Sequence, residues 1–157
     1  MQRLTVGDLA PDFTLLDQDQ TPVHLKDILQ QGKKVLVYFY PKALTPGCTV
    51  QACSIRDYKA EFDQRGVVVL GISPDLPSKL SSFTEKKTLN FTLLSDPDHQ
   101  VAEAFGVWGE KKFMGKTYDG IHRVSFLINA NGEVEQVFEK FKTKDHHQLV
   151  LDFLTRQ

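Results

Sequence analysis

The run from Val35 to Tyr40 constrains the fold of this chain more than any other segment, because all six of its residues are apolar and five are β-branched or aromatic. A strand that faces water on one side alternates apolar and polar residues, whereas an unbroken apolar strand is covered on both faces. Pro41 follows directly and ends the run, since proline has no N–H to donate within a sheet. The run therefore predicts a central strand with helices packed on both sides of the sheet.

The remaining pattern predicts an α/β fold, with a central mixed β-sheet flanked by helices. Val67–Ser73 has the composition of a second buried strand. Asn129–Gly132 separates two apolar stretches as a hairpin turn does, which indicates antiparallel pairing at one edge of the sheet. The predicted strands are 12–16, 23–25, 35–40, 67–73, 91–94, 124–128 and 134–138, and the predicted helices are 48–65, 77–88, 99–105 and 145–154.

The length, the net charge and the apolar runs of the chain limit the functions that it can have. The 157 residues carry 19 Lys and Arg against 20 Asp and Glu, a net charge of −1, which argues against a nucleic-acid partner. No linker or repeat divides the chain, so residues 1–157 are expected to form one domain. The chain does not begin with the pattern of a secretion signal, and its longest apolar run, Val35–Tyr40, is too short to span a membrane. We therefore expect a cytoplasmic protein with no membrane partner.

Cys48 lies where the segment after the first buried strand enters a helix. Helix N-termini carry free N–H groups and a partial positive charge, so they favour a thiolate. An ordinary thiol with a pKa of about 8.5 is only about 3% ionised at pH 7, and about 90% ionisation requires a shift worth about 3.4 kcal/mol. A helix terminus supplies about 0.3–2 kcal/mol, so a nearby cation is needed. Arg123, at the start of strand 124–128, is the candidate, and the alternative is an edge-strand arginine that points to water.

Cys53 follows Cys48 in a C-x4-C spacing, which matches neither a C-x2-C redox motif nor half of a zinc site. The histidines show no ligand spacing either, so no metal and no cofactor is expected. In a regular helix the Cα atoms of the two cysteines would lie about 8.7 Å apart, whereas a disulfide spans no more than about 7 Å. A bridge between them would therefore require the first turns of the helix to unwind. The alternative is that one or both thiols are small buried apolar groups.

Several motifs along the chain resemble those of the peroxiredoxins. Pro41-x-x-x-Thr45-x-x-Cys48 is similar to the P-x-x-x-T-x-x-C motif of their active sites, and its extension TPGCTxxAC resembles the bacterioferritin comigratory protein (peroxiredoxin Q) branch. Further similar segments are Gly7–Phe13, Val69–Asp75 and Arg123–Ile128. The resemblance therefore covers nearly the whole chain.

The resemblance implies a thioredoxin-like fold and a thioredoxin-dependent thiol peroxidase that serves antioxidant defence. It implies that Cys48 is the peroxidatic cysteine and Cys53 the resolving one, and that Pro41, Thr45 and Arg123 complete the site. The implied substrates are hydrogen peroxide and organic hydroperoxides, and the implied reductant is thioredoxin. The branch favours a monomer or weak dimer.

Two positions depart from the family pattern. Gln51 stands where many relatives have Glu, which bears on the orientation of Arg123, and Ser125 stands where Thr is usual. Two interpretations also stay open for neighbouring features. Thr45 could be an ordinary helix cap as well as a catalytic group, and the apolar-rich loop predicted at Trp108–Tyr118 could pack on the core or line a partner surface.

The implied chemistry suits the residue types. The thiolate of Cys48 attacks a hydroperoxide oxygen and becomes a sulfenic acid, Cys53 converts this to a disulfide, and an external dithiol reduces the disulfide. Two other functions remain open: a thiol–disulfide oxidoreductase on the same fold, and a redox sensor that is oxidised without turnover. Oxidoreductases of that kind usually need an accessible C-x2-C pair, which this chain lacks.

Overall fold

A seven-stranded mixed sheet forms the centre of the computed structural model, which describes residues 2–156. The strands are β1 (Thr14–Asp17), β2 (Pro22–His24), β3 (Lys34–Phe39), β4 (Val67–Ser73), β5 (Thr92–Ser95), β6 (Trp108–Phe113), β7 (Lys116–Ile121), β8 (Ser125–Ile128) and β9 (Val134–Phe138). The helices are α1 (Leu25–Leu29), α2 (Pro46–Asp57), α3 (Lys59–Gln64), α4 (Pro77–Lys87), α5 (Gln100–Ala104) and α6 (His146–Thr155). The strand order in the sheet is β2-β1-β5-β4-β3-β8-β9, and β6 pairs only with β7.

Strand β3 is the central strand that the apolar run predicted. It pairs in parallel with β4 on one side and antiparallel with β8 on the other. Leu36, Tyr38 and Tyr40 belong to the buried cluster on one face of the sheet, together with residues of α2, α3, α4 and α6. Val35, Val37 and Phe39 belong to the cluster on the other face, with residues of α1 and α5. The prediction of a mixed sheet covered by helices on both faces is confirmed.

Two hairpins lie at the edges of this sheet, one of them the hairpin predicted at Asn129–Gly132. Strands β1 and β2 pair antiparallel around the turn that follows Asp17, and β8 and β9 pair antiparallel around Asn129–Gly132. The side-chain oxygen of Asn129 accepts hydrogen bonds from the N–H groups of Asn131 and Glu133, each at 3.0 Å, which holds this turn closed. The two hairpins place β2 and β9 at opposite edges.

The helix predicted over 48–65 is two helices instead of one. Helix α2 begins at Pro46, earlier than predicted, and the chain leaves helical geometry at Tyr58, where φ is −111° and ψ is 17°. The ring of Tyr58 packs against the ring of His147 in α6, with centroids 4.5 Å apart. The break therefore coincides with a contact between segments that are distant in the chain, which a local helical pattern does not report.

One helix, α1, and the two strands β6 and β7 were not predicted at all. Helix α1 has only five residues, too few to show a helical period. The segment predicted as an apolar-rich loop contains the β6–β7 hairpin, whose turn residues Met114 and Gly115 both have positive φ, at 51° and 79°. That backbone geometry is the one typical of two-residue hairpin turns, but Met-Gly is a weaker signal for it than Asn-Gly.

Candidate active site

The Cys48 thiol lies in the first turn of α2, at the carboxyl end of the central strand. The chain leaves β3, turns through Pro41 and the residues up to Thr45, and enters α2 at Pro46. The first bond of the helix runs from the N–H of Thr49 to the carbonyl of Thr45 at 2.9 Å. The N–H groups ahead of Thr49 therefore have no carbonyl partner within the helix. Cys48 is 1% exposed, so its sulfur lies in a site from which most water is excluded.

The guanidinium of Arg123 contacts the sulfur directly. Its Nη2 donates to the Sγ of Cys48 at 3.3 Å, and its Nη1 donates to the Oε1 of Gln51, one turn further along α2, at 2.7 Å. A Cβ at Gly47 would lie 3.6 Å from Nη2, so the guanidinium lies against the start of the helix. The alternative of an arginine pointing to water does not describe this structure. A permanent cation beside the thiol favours its anionic form.

Gln51 orients the guanidinium of Arg123, although many relatives have Glu at this position. Its amide oxygen takes the place that a carboxylate would occupy, but it leaves the charge of Arg123 unneutralised. Among residues 2–156, no carboxylate lies within ion-pair distance of Arg123. The amide nitrogen of Gln51 is buried and has no hydrogen-bond partner among the described residues. The site therefore keeps a full positive charge next to Cys48.

Thr45 occupies the N-cap position of α2, but its side chain does not cap the helix. Its hydroxyl donates to the carbonyl oxygen of Lys42 at 2.7 Å. Because a hydroxyl has one proton and two lone pairs, this bond leaves Thr45 able to accept a hydrogen bond from a molecule beside Cys48. The cap interpretation is thus correct for the backbone and wrong for the side chain.

Asp75 fixes the loop that precedes α2, a role that the sequence did not predict. Its Oδ2 accepts hydrogen bonds from the N–H of Ala43 at 2.7 Å and from the hydroxyl of Ser73 at 2.8 Å. Its carbonyl accepts from the hydroxyl of Ser95 at 2.6 Å. These bonds join the ends of β4 and β5 to the loop, and Asp75 directly after the buried strand was the available signal.

The remaining predicted residues lie on the same segment. Pro41 is half-buried at a bend two residues after the end of β3. Cys53 is half-buried in α2, and both cysteines are free thiols. Since α2 runs without interruption through both positions, a disulfide between Cys48 and Cys53 requires the helix to open.

The sheet beneath the thiol carries polar groups that are held neutral. Burial raises the pKa of Tyr38 and that of Tyr40, so both phenols stay protonated. Burial, with smaller contributions from the neighbouring His147 and from the positive charge of Arg123, lowers the pKa of His146 to about 3, and its Nε2 lies 2.6 Å from the Oγ of Ser125. Ser125, at the position where Thr is usual, thus binds a neutral imidazole from α6. Because these buried groups carry no negative charge, they do not neutralise the positive charge of Arg123.

The described part of the chain has neither a cluster of metal-ligating side chains nor a membrane-spanning helix. Within residues 2–156, no group of three or more His, Cys, Asp and Glu side chains is placed to hold a metal ion. No helix in that range is long and apolar enough to cross a bilayer.

Comparisons with known proteins agree with this geometry. The model of the AhpC/TSA family matches residues 6–137. The chain is 65% identical over 154 residues to peroxiredoxin Bcp of Escherichia coli, covering 98% of this chain and 97% of that protein. It is similar to the crystal structure of peroxidoxin BcpB from Mycobacterium tuberculosis, with 35% identity, a TM-score of 0.87 and 98% of each chain covered.

A third relative is bacterioferritin comigratory protein of Xanthomonas campestris, solved as trapped intermediate and ligand complexes that bear on its alkyl peroxide reduction activity. It shares 33% identity and a TM-score of 0.88 with this chain, covering 98% of each. The thioredoxin-like fold expected from the sequence motifs is confirmed by these structures.

Proposed function

Because this chain belongs to the AhpC/TSA family and is a peroxiredoxin, we propose that it reduces hydrogen peroxide and organic hydroperoxides through the thiolate of Cys48. The contact of 3.3 Å between the Nη2 of Arg123 and the Sγ of Cys48 carries the proposal. It places a fixed cation, together with the free N–H groups of a helix terminus, beside a sulfur that is almost fully buried. That environment favours an anionic sulfur, which is the nucleophile that peroxide reduction needs.

In the first step the sulfur attacks the terminal oxygen of the hydroperoxide. A new S–O bond forms while the O–O bond breaks, and the electron pair of that bond leaves on the second oxygen, which takes up a proton as water or an alcohol. The sulfur is oxidised to a sulfenic acid. Arg123 stabilises the charge that moves onto the leaving oxygen. Thr45, whose own proton is donated to Lys42, accepts the hydrogen bond of the peroxide hydroxyl.

In the second step Cys53 resolves the sulfenic acid. Its thiolate attacks the sulfenic sulfur, an S–S bond forms, and the hydroxyl leaves as water after taking up a proton. The two cysteines stand on one continuous helix, so the start of α2 must unwind before the sulfurs meet. Pro41, half-buried and without an N–H, shields the thiolate from water until then.

In the third step an external dithiol exchanges with the disulfide, restores both thiols and is itself oxidised. We propose thioredoxin for this role, and a cytoplasmic monomer or weak dimer as the working state. The proposal extends the alkyl peroxide reduction activity named for the Xanthomonas campestris relative to this chain. Consumption of hydroperoxide in this cycle would serve antioxidant defence.

The function is tested by following NADPH oxidation with hydrogen peroxide, thioredoxin and thioredoxin reductase. We expect turnover with the native chain, none with Cys48→Ser, and with Cys53→Ser a single stoichiometric reaction with peroxide that does not recycle. NADPH loss no faster than without the protein rejects the peroxidase, and a thiol that is oxidised once but never recycled indicates a redox sensor. Reduction of insulin disulfides without peroxide consumption would indicate the oxidoreductase.

The resolving step is tested separately by hydrogen exchange. Treatment with one equivalent of hydrogen peroxide should remove two free thiols and reduce amide protection over residues 45–58. Cys53→Ser is the matched control, since it forms the sulfenic acid without the bridge and should keep that protection. Equal protection in both redox states of the native chain contradicts the unwinding step.

A further inference from the structure

Three hydrogen bonds attach the residues before Arg123 to strand β6 and to Val107, the residue that precedes it. The N–H of His122 donates to the carbonyl of Val107 at 2.7 Å, and its Nε2 lies 3.1 Å from the carbonyl of Glu110. The ammonium of Lys111 donates to the carbonyl of Ile121 at 2.7 Å. Ile121 is 3% exposed and Arg123 follows it by two residues. The β6–β7 hairpin therefore helps to fix the position of the backbone that leads to Arg123.

The Lys111 side chain reaches that carbonyl by crossing β7 at a glycine. Strand pairing places Lys111 opposite Tyr118 and Gly109 opposite Gly120, on the same face of the hairpin. A Cβ at Gly120 would lie 3.3 Å from the Cδ of Lys111 and 3.2 Å from the ring of Tyr118. Any larger residue at Gly120 would crowd the stem of Lys111, so this glycine keeps the path to Ile121 open.

The ammonium of Lys111 is also within electrostatic reach of the catalytic pair. Burial and the positive charge of Arg123 lower the pKa of Lys111, while the sulfur of Cys48 acts in the opposite direction. No carboxylate lies within ion-pair distance of Lys111 among residues 2–156. The neighbouring Lys112 is exposed and, by strand alternation, points to the other face. Lys111 is thus distinguished from the adjacent lysine by its burial, its bond and its neighbours.

We propose that Lys111 is a positioning residue for peroxide reduction: its ammonium holds the Ile121 carbonyl, and so the backbone that presents Arg123 to Cys48, and it adds a second positive charge on the thiolate side of the site. The inference rests on the proposed function for its role in the reaction. The hydrogen bond and the charge act in the same direction. The bond keeps Arg123 beside the sulfur, and the charge of the ammonium itself favours an anionic sulfur.

The test compares Lys111→Met and Lys111→Arg with the control Lys112→Met, all in a Cys53→Ser background so that one thiol reacts. The measurements are the rate of the single reaction with hydrogen peroxide and the rate of alkylation by iodoacetamide, each from pH 5 to pH 9. Lys111→Met should slow the peroxide reaction about tenfold and move the midpoint of both pH profiles upward by as much as about one unit. Lys111→Arg and Lys112→Met should stay within about twofold of the parent chain.

Gly120→Ala provides a second variant that keeps the charge but displaces the stem of Lys111, and it should slow the peroxide reaction without a charge change. The inference is overturned if Lys111→Met has the peroxide rate and the pH profiles of the parent chain, or if Lys111→Arg does not restore the rate that Lys111→Met loses. It is also overturned if Lys111→Met lowers the melting temperature but leaves both pH profiles unmoved, since that result indicates a purely structural role. A parent chain that ignores hydrogen peroxide rejects the proposed function instead. The alkylation profiles still decide the role of Lys111 in that case, because alkylation needs no peroxidase chemistry.

Discussion

The Nη2 of Arg123 lies 3.3 Å from the Sγ of Cys48, although the two residues are 75 positions apart in the chain. The sheet brings them together. Tyr38, near the end of β3, pairs with Ser125, at the start of β8, and because the pairing is antiparallel the chain that leaves β3 and the chain that enters β8 share one edge. Cys48 follows the first of these strands and Arg123 precedes the second.

Replacement of this arginine should impair peroxide attack far more than it affects folding. Arg123→Ala removes the cation and both hydrogen bonds, so we expect the single reaction with hydrogen peroxide to slow about a hundredfold or more. Arg123→Lys keeps the charge but cannot reach Gln51 and Cys48 with two separate N–H groups. Its rate of reaction with hydrogen peroxide should lie between those of Arg123→Ala and the native chain. Arg65→Ala, which loses a bond to Thr155 at the end of α6, serves as the control. Stopped-flow kinetics that are alike in Arg123→Ala and the native chain would contradict the role of the arginine.

A carboxylate at position 51 should weaken the site. In Gln51→Glu the new side chain would accept from the Nη1 of Arg123, as the amide oxygen does at 2.7 Å, but would also neutralise its charge. We therefore expect slower peroxide attack and a pH–rate midpoint raised by about one unit. Because the new carboxylate would be paired with the guanidinium of Arg123, folding should be retained.

The exposed Gln31, in the segment that precedes β3, offers a matched control for that change. Gln31→Glu adds the same charge away from the thiol and should leave rate and midpoint unaltered. A Gln51→Glu variant with the native pH–rate profile would show that the charge of Arg123 is balanced by another group.

The buried His146 should make the fold less stable in acid. Its pKa is about 3 in the folded chain against 6.5 for a free side chain. Between these values the unfolded chain binds one more proton, so stability is fully present above about pH 6.5 and is lost as the pH falls through that window, by at most about 1.4 kcal/mol per unit. His147, whose pKa burial also lowers, acts in the same direction.

The double variant His146→Phe/Ser125→Ala isolates this contribution, because it removes the titrating ring without leaving the Oγ of Ser125 unpaired. Urea unfolding at several pH values between 7.5 and 4 should give a shallower decline for the variant than for the native chain. Gln31→Ala, which changes an exposed side chain that does not titrate, should keep the native slope. Parallel curves for the native chain and the double variant would mean that His146 is protonated in the folded state.

Gly71 should resist substitution because of the ring of Tyr38. A Cβ at Gly71 would lie 2.8 Å from the Cζ and Oη of Tyr38, whose ring is packed against Tyr40, Phe91 and His146. Gly71→Ala should therefore lower the free energy of unfolding by about 1–3 kcal/mol. The penalty should shrink in a Tyr38→Leu background, where the ring is absent, and an equal penalty in both backgrounds would place the strain elsewhere.

The sheet and its layers were largely predictable because their signals are local. The apolar run at 35–40 identified β3, and the Asn129–Gly132 turn identified the β8–β9 hairpin. The β6–β7 hairpin was missed because its exposed, charged strands and its Met-Gly turn carry weak signals. The break at Tyr58 was missed because the apolar stripe of 48–65 continues through it.

The amino-acid sequence by itself determined that Cys48 would begin a helix after a buried strand, since strand composition and the proline and glycine ahead of the cysteine act within a few residues. Only the tertiary structure decided what surrounds that sulfur: the fork of Arg123 between Cys48 and Gln51, the Asp75 network and the reach of Lys111 to Ile121. Those contacts depend on strand register and on side chains arriving from distant segments. The periodicity and spacing of residues in the sequence carry no information about such contacts. The pairing of β3 with β8, for example, brings Arg123 to Cys48.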